Sequence, residues 1–451
     1  MHIVNTATAA IVEELIGSFW NDELPQLTRR TIPFKTLETP KKGNSVHVIV
    51  GMRRTGKTSL LLQQAADLLE KGVARQQLLY FNFEDVRLQP YEPSFISDVV
   101  DLFFSLSPDA RKKGAYLLFD EIQEVPRWGA ALRGVVDRER VSILVTGSSS
   151  KMLSADIGTE FRGRSVSHEL LPFSFEETCH HAGLSLSKPF STEARRNLMR
   201  FFDEYLFRGG FPGVQSAEDP LLTLTLQSYA TDTVMRDVVE RYDLSKSNIA
   251  ARFARDVVSY SGRELSVNAL YHSYRSGGLS VSANLLYDLL DYYQDSFLVF
   301  TVGTWNRALR EKTTESRKVY AIDPGLFRAN APALSDDMGQ RLETAVYGEL
   351  RRRHQGDRRN MITRYITRRS RAEVDFCVGD ALAETPFELI QASTNLDGEN
   401  TRQRELRALE EAMGELGISE STIVTLSEER SLETATGVVS VVPAWKWFLK
   451  N

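Results

Sequence analysis

Gly51-Met52-Arg53-Arg54-Thr55-Gly56-Lys57-Thr58-Ser59 starts where the apolar VHVIV ends and runs into LLLQQAADLLE, a string of helix formers. The spacing fits G-x-x-x-x-G-K-[ST], and each position has a task if the ligand is a chain of phosphates. Gly51 and Gly56 let the backbone of Arg53, Arg54 and Thr55 curl its N–H groups around the anion. The start of the helix at Thr58 and Ser59 adds a partial positive charge. Lys57 reaches the β- and γ-phosphates, and the Thr58 hydroxyl ligates Mg²⁺. ATP with Mg²⁺ is therefore the expected cofactor pair.

Hydrolysis needs a carboxylate for the metal and a base for water. AYLLFDEIQEV supplies Asp120, where a strand leaves the core, as the metal carboxylate, and Glu121 as the group that polarises water. The next apolar stretch, VSILVT, ends in Gly147-Ser148-Ser149-Ser150, and Ser148 is placed to sense the γ-phosphate or position water. Further on, GTEFRGRS carries Arg162 and Arg164. A guanidinium there could reach a neighbouring subunit's γ-phosphate, or simply face solvent.

The elements that must position these groups alternate. Apolar strands at 46–50, 78–83, 115–119 and 141–146 are separated by amphipathic helices at 59–69, 95–106 and 130–138. Such alternation predicts βαβ units in a parallel sheet with helices on both faces. A helix is expected near 9–20. From 191 to 245 the chain reads as helical, interrupted by RGGFPG. Residues 247–305 read as three short helices, ARFARDVVSYSG, SVNALYHSY and SVSANLLYDLLDYYQDSF. LVFTV and KVYAI then pair as a ribbon, which together describe a winged helix. Beyond 342, a helix at 342–353, strands near 363–378 and 386–391, a helix at 402–415 and a strand at 421–425 predict a second α/β domain. The expected organisation is an ATPase core with an N-terminal extension (1–190), a helical lid (191–245), a winged helix (246–330) and a final α/β domain (331–451).

Composition bounds the partners. The chain has 451 residues, 42% hydrophobic and 25% charged, with a formal net charge of −5. That is a globular composition, and any nucleic-acid affinity must come from a local basic surface. Two cysteines exclude a disulfide framework. The opening residues do not read as a signal peptide and no apolar run reaches a membrane span, so a cytoplasmic compartment is expected. Cys179-His180-His181 diverge around a helix and do not read as a metal site.

The densest basic tract is RRRHQGDRRNMITRYITRRSR, 351–371, with nine arginines. Arg364, Arg368, Arg369 and Arg371 are its candidate phosphate contacts, with Tyr365 interleaved for stacking; the plain alternative is a solvated face. The segment 305–318 is a second basic candidate, whereas the helix SVSANLLYDLLDYYQDSF is acidic and aromatic.

GMRRTGKTSL, NFED, FDEIQEVPRWG, LVTGSSSKMLS, FRGRS, LLPFSFEE and RGGFPG, in that order, resemble the prokaryotic AAA-superfamily ATP-binding proteins. Many of these carry a C-terminal domain of unknown function with a winged helix and a restriction-endonuclease-like fold. The resemblance implies the ASCE type of P-loop sheet, with an extra strand between the P-loop strand and the strand carrying Asp120. It also implies an arginine finger near Arg164, acting in trans within a homo-oligomer. For the last domain it implies a nuclease-like site of Glu343, Asp375 and a Glu-x-Lys. Gln391-Ala392-Ser393 stands in the third place, and Glu388 lies on the opposite face of its strand. The expectation is a fold kept and a cleavage chemistry lost, with nothing replacing the lysine. The expected function is ATP-driven movement or remodelling of branched or duplex DNA. The rivals are a slow nucleotide switch docking proteins and an ATP-licensed nuclease.

Overall fold

In the computed structural model the described residues are 6–32, 37–148, 161, 163–305, 317–332, 337–355, 361–380, 383 and 385–449. They fall into two compact units, Met1–Leu170 and Leu171–Asn451.

The first unit is built on five strands: β1 (Val46–Val50), β2 (Leu78–Asn82), β3 (Ala115–Asp120), β4 (Val141–Gly147) and β5 (Ser165–Glu169). They pair in parallel in the order β2-β3-β4-β1-β5. The P-loop strand β1 thus has β4 between it and β3, the extra-strand arrangement of the ASCE sheet. Every residue of β1, β3 and β4 is buried, as strands covered on both faces require. The helix Lys57–Glu70 packs Leu60, Leu61, Ala65 and Leu68 onto Ile49, Leu118 and Leu144. The helix Thr6–Asn21 adds Phe19 to the same cluster. β5 is a strand that the hydrophobic pattern does not predict. Its sequence, SVSHE, has one aliphatic residue, and as an edge strand it is only half-buried.

The second unit opens with helices Phe175–His181, Thr192–Arg208 and Leu221–Thr233, the last continuing into a π-helical turn, Val234–Glu240. Next come the helix Ser247–Ser259, β6 (Arg263–Leu265), helices Val267–Ser276 and Ala283–Asp295, β7 (Val299–Val302) and β8 (Arg317–Ala321). β6, β8 and β7 form a small antiparallel sheet. Ser266 and Ser282 cap the second and third of these helices by accepting from Ala269 N and Leu285 N. The basic residues 306–316 lie outside the described residues.

After the helices Pro324–Asn330 and Met338–Arg353 a six-stranded mixed sheet follows. It comprises β9 (Met361–Ile366), β10 (Glu373–Asp380), β11 (Thr385–Ala392), β12 (Glu420–Thr425), β13 (Arg430–Thr434) and β14 (Gly437–Pro443), ordered β13-β14-β12-β11-β10-β9. The helix Glu399–Leu416 buries Ala408, Leu409, Ala412 and Met413 against Val374, Leu389 and Ile423. The stretch 363–378 is two antiparallel strands around a turn at 367–371. The β13–β14 hairpin and the helix Ala444–Phe448 also go beyond the expected elements; Val438, Ser440 and Thr434 carry too little pattern.

RGGFPG forms half of a buried knot. Asp323 accepts from Gly210 N at 2.6 Å and from Leu326 N at 2.9 Å. Gly209 has φ 75°, and a Cβ there would lie 1.9 Å from Asp323 Oδ1, so only glycine fits. Burial, against these backbone hydrogen bonds, raises the Asp323 carboxyl to about 6. Between the ordinary value near ~4 and about 6, the native state holds a proton that the unfolded chain releases. Stability therefore falls as pH rises through that window. Urea unfolding at pH 5 and pH 7 should show wild type losing about 1.3 kcal/mol relative to Asp323→Asn over that step. A pH-independent difference would contradict the assignment.

Candidate nucleotide site

Parallel pairing brings the carboxyl ends of β1, β3 and β4 to one edge of the sheet, and the phosphate-binding loop starts there. Gly51 follows β1 so closely against the end of β5 that a Cβ would sit 2.2 Å from Leu170 O. Arg54 and Gly56 adopt φ 69° and 96°, turning the loop into the helix Lys57–Glu70. No side chain caps that helix, so its first N–H groups are left to an anion. Arg53 is ion-paired with Glu84 of NFED at 2.8 Å.

Thr58 Oγ1 donates to Asp120 Oδ2 at 2.6 Å, and Thr146 Oγ1 donates to Asp120 Oδ1 at 2.5 Å. Tyr80 donates to the same carboxylate at 3.3 Å. Burial pushes Asp120 up, against the two threonine hydroxyls. Glu121 is left-handed (φ 51°), which turns its side chain from the strand line toward Lys57; Lys57 Nζ lies 3.2 Å from Glu121 Oε1. Burial opposes the charge of Glu121, yet Lys57, Gln123 and Arg53 together hold it below the ordinary carboxylate value. Lys57 also donates to the carbonyls of Gly51 and Met52 at 3.2 and 3.3 Å.

This donor set fits ATP with Mg²⁺. A hydroxyl and a carboxylate 2.6 Å apart can share one hard dication, and Lys57 beside the loop can meet phosphate oxygens. The bound nucleotide would supply the phosphoryl group; Thr58 and Asp120 would hold its metal, and Glu121 would orient water.

Residues 43–179 match the family described as AAA domain, and residues 199–337 match a domain of unknown function, DUF8612. An uncharacterized protein of Methanocaldococcus jannaschii is 30% identical over 413 residues, spanning 90% of this chain and 88% of that protein. The chain belongs to that protein's family, within the AAA superfamily of P-loop proteins. An uncharacterized protein of Haemophilus influenzae is 27% identical over 316 residues, 69% of this chain and 76% of its own. Among solved structures, Aeropyrum pernix ORC1 in complex with DNA aligns with TM-score 0.23 at 16% identity, covering 73% of this chain and 93% of that one.

Two groups in this AAA-superfamily site are not legible in the sequence. Thr146 donates to Asp120, the expected metal carboxylate, and it also accepts from Glu121 N at 2.9 Å. Ser148 is buried one residue beyond β4. Arg30, buried, donates from Nη1 to Thr55 O at 2.5 Å, while its N and O clamp the amide of Gln63 at 2.7 and 3.1 Å. The N-terminal segment thereby braces the loop. The Thr at the end of VSILVT is the available signal for the first; nothing local marks the second.

Arg164 precedes β5, level with the start of β1, since Ser165 pairs with Val46. It is ion-paired with Asp137 at 2.8 Å. The loop at the far end of β1 is about 16 Å away by strand rise, so Arg164 cannot serve its own chain's phosphates. Arg162 lies outside the described residues.

The arginine tract divides. Arg352 donates to Pro172 O at 2.8 Å, Arg353 to Trp447 O at 2.7 Å, and Arg351 stacks on Phe300 at 4.0 Å. Arg364, expected at a phosphate, is buried against Glu264 at 2.5 Å and Glu373 at 3.5 Å, because β9 faces the small sheet. Tyr365, expected to stack on bases, is buried with its hydroxyl on Glu415 at 2.5 Å. Arg368, Arg369 and Arg371 remain exposed. Their turn is anchored by backbone N–H groups on Glu411 and Glu415, at 2.9 Å each for Arg369 and Arg368.

The nuclease-like residues do converge. Asp375 N donates to Gln391 Oε1 at 3.1 Å, and Ala392 N to Asp375 Oδ2 at 3.0 Å. Glu343 faces Asp375, and burial together with that charge raises its carboxyl above the ordinary value, against the pull of Lys318. The expectation that nothing replaces the lysine needs correction. Lys318 arrives from β8, with Nζ 2.6 Å from Glu343, 2.7 Å from Glu373 and 3.1 Å from Asp375. Ser393 turns away, donating to Asn395 O at 3.0 Å. Among the described residues no helix is long and apolar enough to cross a membrane.

Proposed function

We propose that this chain hydrolyses ATP and couples the turnover to movement or remodelling of DNA, branched or duplex. The carrying observation is Glu121, buried and held ionised 3.2 Å from Lys57, beside a carboxylate gripped by Thr58 and Thr146. A protein that only bound nucleotide would gain nothing from burying a second charged carboxylate there, because desolvation costs free energy. Arg164, out of reach of its own site, supports a homo-oligomer in which it meets a neighbour's γ-phosphate.

DNA is assigned to the Arg368–Arg371 turn and to the small helix–strand–helix–helix–strand–strand unit beside it, read as a winged helix. The three exposed guanidiniums stand on a braced turn, which suits contact with phosphates rather than with base edges. One observation favours the rival protein-docking switch: Arg351, Arg352, Arg353 and Arg364 serve internal contacts, so the basic surface is smaller than the tract suggests.

Changing Arg368 and Arg369 together to Ala tests the assignment. Affinity for DNA should fall alike for all sequences, and the salt slope should drop by about 2. Unchanged affinity and slope would hand the turn to solvent and promote the docking switch.

A further inference from the structure

Lys318 sits at the meeting point of the carboxylates in the nuclease-like cluster. Its side chain is 7% exposed, and three carboxylate oxygens, from Glu343, Glu373 and Asp375, converge on Nζ within 3.1 Å. The remaining valences around it are used. Tyr320 donates to Glu343 Oε1 at 2.6 Å, Ala392 N donates to the second oxygen of Asp375, and Arg364 lies 3.5 Å from the second oxygen of Glu373. A hard dication needs oxygens at about 2.0–2.6 Å around a vacant centre, and here an ammonium fills the centre. Among the described residues no group of three His, Cys, Asp or Glu is arranged to hold a metal. Mg²⁺ therefore does not fit the cluster.

We infer that Lys318 is a built-in counter-ion that occupies the metal position of the nuclease-like cluster, closing it to divalent cations and fastening β8 to the six-stranded sheet. The donor comes from one sheet, two of the acceptors from another and the third from a helix. Lys318 lies on β8 of the small sheet, Glu373 and Asp375 on β10, and Glu343 on the helix Met338–Arg353. Arg364 of β9 repeats the fastening by pairing with Glu264 of β6. Two buried cations thus tie the winged-helix-like unit to the nuclease-like sheet. The cluster keeps the two parts in one register. DNA held by the Arg368–Arg371 turn and by the small unit would then move as a single load.

The inference rests on reading this domain as non-cleaving, and the test separates the two. Full-length protein without nucleotide is titrated with Mn²⁺ and followed by the electron paramagnetic resonance signal of the free ion. Wild type should show no uptake that Asp375→Asn removes. Lys318→Ala should gain a single tight Mn²⁺ per chain, at least tenfold tighter than any wild-type site, and Lys318→Ala with Asp375→Asn should lose it. If Lys318→Ala does not fold, Lys318→Gln, closer to the volume of lysine and uncharged, is read in the same way. Asp375-dependent Mn²⁺ uptake by wild type, or no gain in the folded variant, overturns the counter-ion role. Cleavage of plasmid or four-way-junction DNA by wild type with Mn²⁺, removed by Asp375→Ala, overturns the non-cleaving reading as well. No uptake gain and no cleavage overturns only the role of Lys318.

Discussion

Glu121→Gln is expected to bind ATP with affinity at or above that of wild type and to hydrolyse it about 10²–10⁴-fold more slowly. Gln keeps the length and planarity of Glu, so the left-handed turn at 121 and the bond from its N–H to Thr146 persist. The groups assigned to the phosphates and metal, Lys57, Thr58 and Asp120, are untouched. What disappears is the carboxylate that Lys57, Gln123 and Arg53 keep ionised against burial. Lys57 is also released from its 3.2 Å ion pair, which favours rather than weakens its contact with phosphate. Calorimetry with ATP and Mg²⁺ measures the binding, and phosphate release measures the turnover. Hydrolysis near the wild-type rate would show that another group orients the water.

Arg164→Ala is expected to bind ATP normally and to lose about 10³–10⁵-fold in turnover, the range for an arginine supplied to a γ-phosphate. Its position just before β5 leaves the mutant's own phosphate loop intact. Within the chain the substitution breaks the 2.8 Å pair with Asp137, which is half-exposed and worth little to stability. Mixing Arg164→Ala with Lys57→Ala should restore part of the activity. A subunit whose own site is empty can still lend Arg164 to a neighbour whose loop is whole. Absence of rescue at every mixing ratio would argue against a finger acting in trans.

The parts of this site that can be read from the chain are those made by adjacent residues. The phosphate loop needs its glycines, Lys57 and Thr58 in one run, and Asp120-Glu121 sit together at the end of an apolar strand. The part played by Thr146 is not legible from sequence, because its bond to Asp120 comes from β4 lying beside β3. β5 is hidden because an edge strand with one covered side needs little hydrophobicity. Charge runs are a poor guide to exposure. Arg364 and Tyr365 lie inside the basic tract yet are buried, since the groups they meet, Thr304, Glu264 and Glu415, come from distant parts of the chain. Lys318 is the extreme case: it sits in a stretch that reads as part of one unit and completes the charge balance of the next.

Coupling of nucleotide turnover to DNA, the central claim, is tested most directly by the steady-state ATPase rate of the full chain. It would be measured alone and with single-stranded, duplex and four-way-junction DNA at low and moderate salt. Slow turnover is expected for the protein alone. Duplex or junction DNA should raise the rate severalfold, and that rise should be lost in Glu121→Gln and reduced in the Arg368→Ala, Arg369→Ala double variant. A rate that is the same with every DNA, in protein whose Glu121→Gln form confirms genuine hydrolysis, would contradict the coupling and leave a nucleotide switch for protein partners.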